Sequence, residues 1–464
     1  MVKIHWFRRD LRVTDNTSLA AAAADGADVV PVYVISGWRG AHRWTGPMRQ
    51  EFLCGCLRSL DANLRGMGSR LIIREGDPVE GLLRLAGECG AAEIHFNRDP
   101  DPHGREVERR LAERAGGRIG VFPHKDACLH ERDEVLTATG EPFRVFTPYS
   151  RAWAKLPKEA PRGRPRSLGA APRVDSLPLP DLGLWGLTRE GTIIEPGEKA
   201  ARARLATFVG GGLAGYGENR DIPAGRTTSR LSQDLRFGLV SIREVFAKCR
   251  EKADALAAGP RASAGKYESE LIWREFYMSV LWHFPQVLEE EFNPVFRGMR
   301  WPGKPADFAR WCAGETGFPI VDAAMRQLNA TGFMHNRTRM IAAMFLTKDL
   351  QLDWRMGESY FLQKLVDGEI ASNNGGWQWS AGTGADAAPY FRIQNPWTQT
   401  ARYDADGRYI KEWIPELRDV PAAALAAPPE PGKRLAPNYP PPMVDHTAAR
   451  DSTLELFASW KARS

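Results

Sequence analysis

VKIHWFRRDLRVTDN, residues 2–16, decides the fold of the first part of the chain. A short β-like run enters a charged turn. Similar runs return at DVVPVYVI (28–35), RLIIRE (70–75), AEIHFN (92–97) and RIGVFP (118–123), with amphipathic stretches of helical length between them. Short apolar strands alternating with helices read as an α/β domain, a parallel, Rossmann-like sheet wrapped by helices. A dinucleotide-binding member would follow its first strand with GxGxxG; RRDLRVTDN stands there instead and argues against a nicotinamide dinucleotide site.

Outward from this domain the composition changes. KEAPRGRPRSLGAAPRVDSLPLP (158–180) is rich in proline and poor in periodic apolar residues, as a connection between domains should be. Beyond about residue 195 apolar residues recur at three and four and strand-like runs almost vanish, so an all-α domain is expected. The expected organisation is an α/β domain over 1–130, a linker over 131–195 and a helical domain over 196–464.

The 464 residues, 43% hydrophobic, suffice for a sizeable core. No stretch approaches the roughly 20 apolar residues of a membrane span, and the N-terminus puts charges directly after a short apolar run. The expected location is the bacterial cytoplasm and nucleoid. Six scattered cysteines, without a CxxC pair or a nearby histidine set, read as reduced thiols, and no metal site is expected. A net charge of +6 permits a polyanionic partner without requiring one. Fifteen tryptophans, most of them after residue 150, point either to chemistry on aromatic rings or to a large helical core.

Four segments carry the chemistry. TTSRLSQDLRFG (227–238) sets hydroxyls and an arginine before a helix start, which suits a phosphate or an ordinary N-cap. In KYESELIWREFYMSVLWHF (266–284), helical spacing aligns Tyr267, Glu270, Trp273, Arg274 and Tyr277, a recognition stripe or else a solvated face with a Glu270–Arg274 pair. In AAMRQLNATGFMHNRTRMIAAMFLTKDL (323–350), Asn336, Arg339, Met340 and Ala343 share a helix face, while His335 lacks partners for metal or triad chemistry. LVDGEIASNNGGWQWSAGTGADAAPYFRIQNP (365–396) reads as mostly loop, yet carries Asp367, Glu369, Asn373, Trp377, Trp379 and Arg392. The residues alone support a flavin or nucleotide enzyme acting on an aromatic substrate, or a DNA-binding protein without catalysis.

With TSRLS, ELIWREFY, GFPIVDAAMRQLNATGFMHNRTRM and NNGGWQW in place, the chain resembles the photolyase/cryptochrome family, most closely the bacterial class I cyclobutane pyrimidine dimer photolyases. The likeness runs from WFRRDLRVTDN to IKEWIPEL (410–417). It implies FAD in the helical domain. Thr228, Ser229, Arg230, Leu231 and Ser232 would hold the pyrophosphate, with Tyr216, Tyr267 and Arg274 nearby. Arg339 and Asp367 would pair against the isoalloxazine ring, with Gly368 and Glu369 beside it. Asn373 would face N5, where an amide bonds a neutral flavin without adding charge.

By the same resemblance Trp377, Trp354 and Trp301 form an electron path from flavin to surface. Trp273 and Trp379 would wall a pocket for a flipped dimer, Glu270 and Asn336 would bond the pyrimidine edges, and Met340 would pack beside the ring. Arg220, Arg337, Arg392 and Gln399 would bind flanking phosphates. Glu270 and Asn373 are thus the expected catalytic pair, in a monomeric lyase that splits dimers in UV-damaged DNA under blue light. The two glycines of NNGGWQW are expected to bend the backbone tightly between flavin contact and lesion wall.

Two departures stand out: Glu369 replaces the family's usual aspartate, and Phe333 a common tryptophan. The antenna residues are expected to be Arg49 and Arg105, where DPDPHGRE resembles members binding 8-hydroxy-deazaflavin; methenyltetrahydrofolate, another flavin or no antenna are the alternatives. Histidines expected of a (6-4) photolyase are absent at Asn336 and Met340. A cryptochrome photoreceptor is the alternative function, opposed by Asn373, by the pocket set Glu270, Trp273, Met340 and Trp379, and by the lack of a long polar extension.

Overall fold

Strands β1 (Val2–Phe7), β2 (Asp28–Ile35), β3 (Ile72–Glu75), β4 (Glu93–Asn97) and β5 (Gly120–His124) form one parallel sheet in the order β3-β2-β1-β4-β5. Ile4 of β1 sits in register with Val30 of β2 and Ile94 of β4, and all three are buried. The covering helices start where the sequence supplies both proline and cap: Asp77 and Asp101 accept the first free amides of helices Pro78–Cys89 and Pro102–Ala115. The computed structural model describes residues 1–40, 42–170, 173–387 and 389–462; Ala171 and Pro172 of the proline-rich stretch and Ala388 lie outside the described residues.

This strand order reverses direction between β1 and β4, which opens a crevice at the C-terminal ends of those strands. The RRDLR turn fills it with charge. Arg8 pairs with Glu108, and Arg9 reaches Asp99 at 3.2 Å and Glu369, in the helical half, at 2.9 Å. Burial works against the Arg9 charge, but Glu369, Asp99 and Asp101 outweigh it and raise its pKa. The turn that replaces a glycine fingerprint therefore bridges the two halves.

Among the described residues, the stretch 131–195 docks on the rest of the protein at several points. The helix Phe146–Lys155 buries Tyr149 and Trp153, and the Trp153 indole donates to Glu275 at 2.6 Å. Further on, the Leu168 carbonyl accepts from Val29 at 2.8 Å and Leu177 donates to the Ile73 carbonyl at 3.2 Å. One core joins Phe7, Leu11 and Phe52 to Phe237, Tyr267 and Phe276, so apolar packing is continuous across the halves. A second core lies within the helical half and holds Trp311, Trp354 and Trp377.

One expectation fails outright. NNGGWQWS is not a turn: it lies inside the helix Ile370–Ala381, which ends at Gly382 in the left-handed conformation (φ 79°). Gly375 does not bend the chain; a Cβ there would collide with the Tyr277 ring. A helical glycine costs roughly 1 kcal/mol relative to alanine, and here close contact between two helices offsets it. Among the described residues no helix is long and apolar enough to cross a membrane.

Candidate cofactor and substrate cleft

The helix Ala258–His283 is the spine of the site. Glu270 accepts from Arg220 at 2.6 Å, so the i, i+4 pair with Arg274 does not form. Arg274 turns to main-chain carbonyls instead, Ala127 at 2.8 Å and Leu235 at 3.5 Å. Burial raises the pKa of Glu270, with Arg220 opposing. Trp273 stacks face to face on Phe146, centroids 3.7 Å apart and planes 3° from parallel. Phe146 belongs to the stretch read as linker and was not anticipated; the wall is a pair of rings. Tyr216 packs edge-on to Tyr267 at 5.2 Å.

Beside this helix the chain 226–231 is irregular, with Arg226 and Arg230 left-handed (φ 48° and 52°), a conformation that costs non-glycine residues energy. Thr228 and Ser229 are half-buried there, and the Leu231 side chain lies in the core. Ser229 lies by the Tyr267 hydroxyl, and Ser232 by Asp367. Arg339 pairs with Asp367 at 2.8 Å. Burial pushes the Asp367 pKa up, but Arg339 and Ser232 prevail and hold it below the usual carboxylate range. Arg230 lies over the Phe333 ring at 3.5 Å, and burial lowers its pKa to about 10.

Two atoms in this group are buried without a partner, Asp367 Oδ1 and Arg230 Nε. Buried polar atoms in native proteins are almost always satisfied, so this hydroxyl-lined group fits a large polar cofactor. Glu369, expected beside that cofactor, instead gives its carboxylate to Arg9. Gly368 has no room for a side chain, because a Cβ would meet the Arg49 guanidinium.

Asn373 donates to the Glu358 carbonyl at 3.1 Å, and Asn374 donates to the Glu358 carboxyl at 2.9 Å. Glu358 was not anticipated from sequence. It sits one turn beyond Trp354 on the helix Trp354–Lys364, and burial lifts its pKa to about 7. Trp377 lies in space opened by Gly357, with Phe361 at 4.9 Å and Trp311 at 6.0 Å as ring neighbours. Trp354 is buried, and half-buried Trp301 meets Phe457 of the helix His446–Lys461 at 6.2 Å.

At the rim, Asp221 accepts from Arg337 at 2.8 Å and lies 3.8 Å from Arg220, holding two of the expected phosphate contacts together. Asn336 and Arg392 are exposed; Met340, Trp379 and Gln399 are half-buried. His335 caps the helix Asn336–Met344 through Nδ1, and burial lowers its pKa to about 4.

The antenna expectation changes most. Arg49 is buried and donates to three main-chain carbonyls, Trp44 at 2.7 Å, Leu365 at 2.9 Å and Leu362. Three of its five N–H donors are thus engaged within the protein. Arg105 donates to the Trp282 carbonyl at 3.0 Å and stacks on that ring at 3.5 Å, with Arg132 also stacked on it at 3.6 Å. The two expected antenna arginines share no partner. Among the described residues no His, Cys, Asp or Glu cluster has metal-site geometry.

Fold and cleft together define a two-part protein whose helical half is built around a large polar cofactor. A family model for DNA photolyase matches residues 3–166, and one for the FAD binding domain of DNA photolyase matches residues 267–459. The deoxyribodipyrimidine photo-lyase of a Synechococcus species is 39% identical, covering 99% of this chain and 97% of that protein. A bacterial class III photolyase from Agrobacterium tumefaciens superposes with TM-score 0.91 at 37% identity, covering 99% and 98% of the two chains. The Synechocystis cryptochrome superposes with TM-score 0.89 at 27% identity, covering 98% and 99%. The chain belongs to the photolyase/cryptochrome family, and its helical half is an FAD-binding domain.

Proposed function

We propose that this protein is a light-driven lyase that splits cyclobutane pyrimidine dimers in UV-damaged DNA and acts as a monomer. One observation carries the reading. On a single helix, Tyr267 lies by Ser229 of the hydroxyl-rich segment while Glu270, one turn later on the same face, bonds Arg220. Cofactor and substrate groups are thereby within a few ångströms of one another.

Reduced FAD, when bound, supplies the photoexcited electron that opens the cyclobutane ring and regains it afterwards. Thr228 to Ser232 would hold its pyrophosphate, Asp367 and Arg339 its ring system, and Asn373 its N5 edge. The burial that raises the Glu270 pKa keeps that residue available as a hydrogen-bond donor or acceptor to a pyrimidine edge. Trp273, backed by Phe146, and Trp379 offer surfaces for a dimer that is already poorly stacked and so is extruded at reduced cost. Arg220, Arg337, Arg392 and Gln399 would follow the backbone, giving salt-dependent affinity.

An amide at Asn373 and the set Glu270, Trp273, Met340 and Trp379 favour repair over photoreception. For the antenna, PHGR around Arg105 supports 8-hydroxy-deazaflavin, without help from Arg49. The test is repair of a thymine dimer in a short single-stranded oligonucleotide by chemically reduced protein. Blue light restores both thymines and the dark control does not; bound FAD without repair under light would transfer the protein to the photoreceptors.

A further inference from the structure

The three tryptophans of the expected electron path are not equivalent. The indole N–H groups of Trp377 and Trp301 are buried and meet no acceptor among the described residues. The Trp354 indole, fully buried, donates to Glu291 Oε1 at 3.1 Å. Glu291 is itself only 2% exposed. Arg355 pairs with the same oxygen at 3.1 Å, and its guanidinium lies 4.5 Å from the centroid of the Trp354 ring. A cation over an aromatic face is attractive while the ring is neutral and repulsive once the ring has lost an electron.

The position of Glu291 is set by the central residue of the WQW motif. Gln378 donates to the Val287 carbonyl at 2.9 Å and the Glu290 carbonyl at 3.1 Å, and accepts from the Phe292 amide at 2.8 Å. One side chain thus pins the main chain on both sides of Glu291. The Arg297 guanidinium holds the Glu291 carbonyl at 3.1 Å.

We propose that Glu291 is a positioning residue for electron supply: its carboxylate stabilises the electron vacancy on Trp354 and accepts the indole proton. This rests on the reading of Trp377, Trp354 and Trp301 as the electron path. Trp377, once it has given an electron to the photoexcited oxidised flavin that the FAD-binding domain would hold, is refilled by one electron from Trp354, leaving a positive charge on Trp354. Oxidation makes the indole N–H acidic enough to compete with a carboxylic acid, so the proton moves along the existing hydrogen bond to Glu291. The result is a neutral indole radical beside a neutral carboxyl group. An electron from Trp301 then returns the proton to the ring nitrogen, and an added thiol refills Trp301. The carboxylate also counters Arg355, whose charge alone would oppose oxidation of the ring.

The experiment compares wild type, Glu291→Gln, Trp354→Phe and Glu291→Gln/Arg355→Met under steady blue light with thiol. Flash spectra are recorded in a Trp301→Phe background, where an oxidised Trp354 persists. Glu291→Gln slows photoreduction about tenfold or more, the scale of one lost charge at hydrogen-bond distance in a partly screened site. Its Trp354 radical is cationic where the parent's is neutral, and the dark-state Trp354 indole proton resonance moves upfield. Removing the opposing cation in the double variant restores part of the rate, which a packing defect would not allow. Glu291→Gln photoreducing at the wild-type rate while Trp354→Phe is slow overturns the role of Glu291 and leaves the path intact. Trp354→Phe photoreducing at the wild-type rate overturns both.

Discussion

Arg339 and Arg49 are both expected from sequence to meet a chromophore, and the fold uses them in opposite ways. Arg339 pairs with one carboxylate, Asp367, whose second oxygen is buried and unpartnered. Arg49 faces the end of the helix Trp354–Lys364, and the carbonyls of Leu362 and Leu365 there, with that of Trp44, occupy its guanidinium. The last carbonyls of a helix have no partner of their own and carry the negative end of its dipole. A nearby guanidinium is claimed by them before any ligand arrives. Burial, reinforced by Arg236, lowers the Arg49 pKa to about 9, which fits a residue held by neutral acceptors. A binding arginine is thus recognised by what its partner leaves open.

The contrast breaks first at the ion pair. Asp367 is buried but Arg339 is only part-buried, so losing the carboxylate should cost less than the roughly 3–5 kcal/mol of a fully buried pair, and Asp367→Ala should lower flavin retention by about ten- to a hundredfold. Flavin absorbance per protein after gel filtration reads this directly, and full retention would remove the pair from the cofactor site. Arg49→Met should act on folding instead, costing roughly 2–4 kcal/mol as buried carbonyls lose their donors. Urea denaturation with and without flavin checks it; unchanged stability together with loss of a second chromophore would return Arg49 to the antenna.

Glu358 sharpens the comparison through pH. Its pKa is raised from 4.5 to about 7 by burial, so the fold favours the neutral acid. That contribution is complete below about pH 4.5 and is lost as the pH rises through about 7, roughly 3 kcal/mol for a shift of this size. Glu358→Gln should flatten the decline in melting temperature across this window. Arg105→Ala, which removes one of two cations stacked on Trp282, should have the smallest effect, about 0.5–1 kcal/mol in the same denaturation.

What was legible follows how local each signal is. β2 occupies the range read from its apolar run, because a strand inside a covered parallel sheet is apolar on both faces and announces its own ends. The helix Ile370–Ala381 was illegible because its glycines look like turn formers until Tyr277, on another helix, is seen against Gly375. Phe146, Glu358 and Glu291 were missed for the same reason: each is defined by a partner distant in sequence, Trp273, Asn374 and Trp354. The carbonyl partners of Arg49 were illegible because nothing in its vicinity in the sequence foretells the carbonyls of residues 362 and 365.

The central claim, that one helix serves cofactor and substrate at once, is tested most directly by light-driven dimer repair in wild type and Glu270→Ala with matched flavin content. Loss of a charged hydrogen-bonding group should cut lesion affinity and repair by about ten- to a hundredfold while leaving bound flavin unchanged. Equal repair by the two proteins would contradict the account.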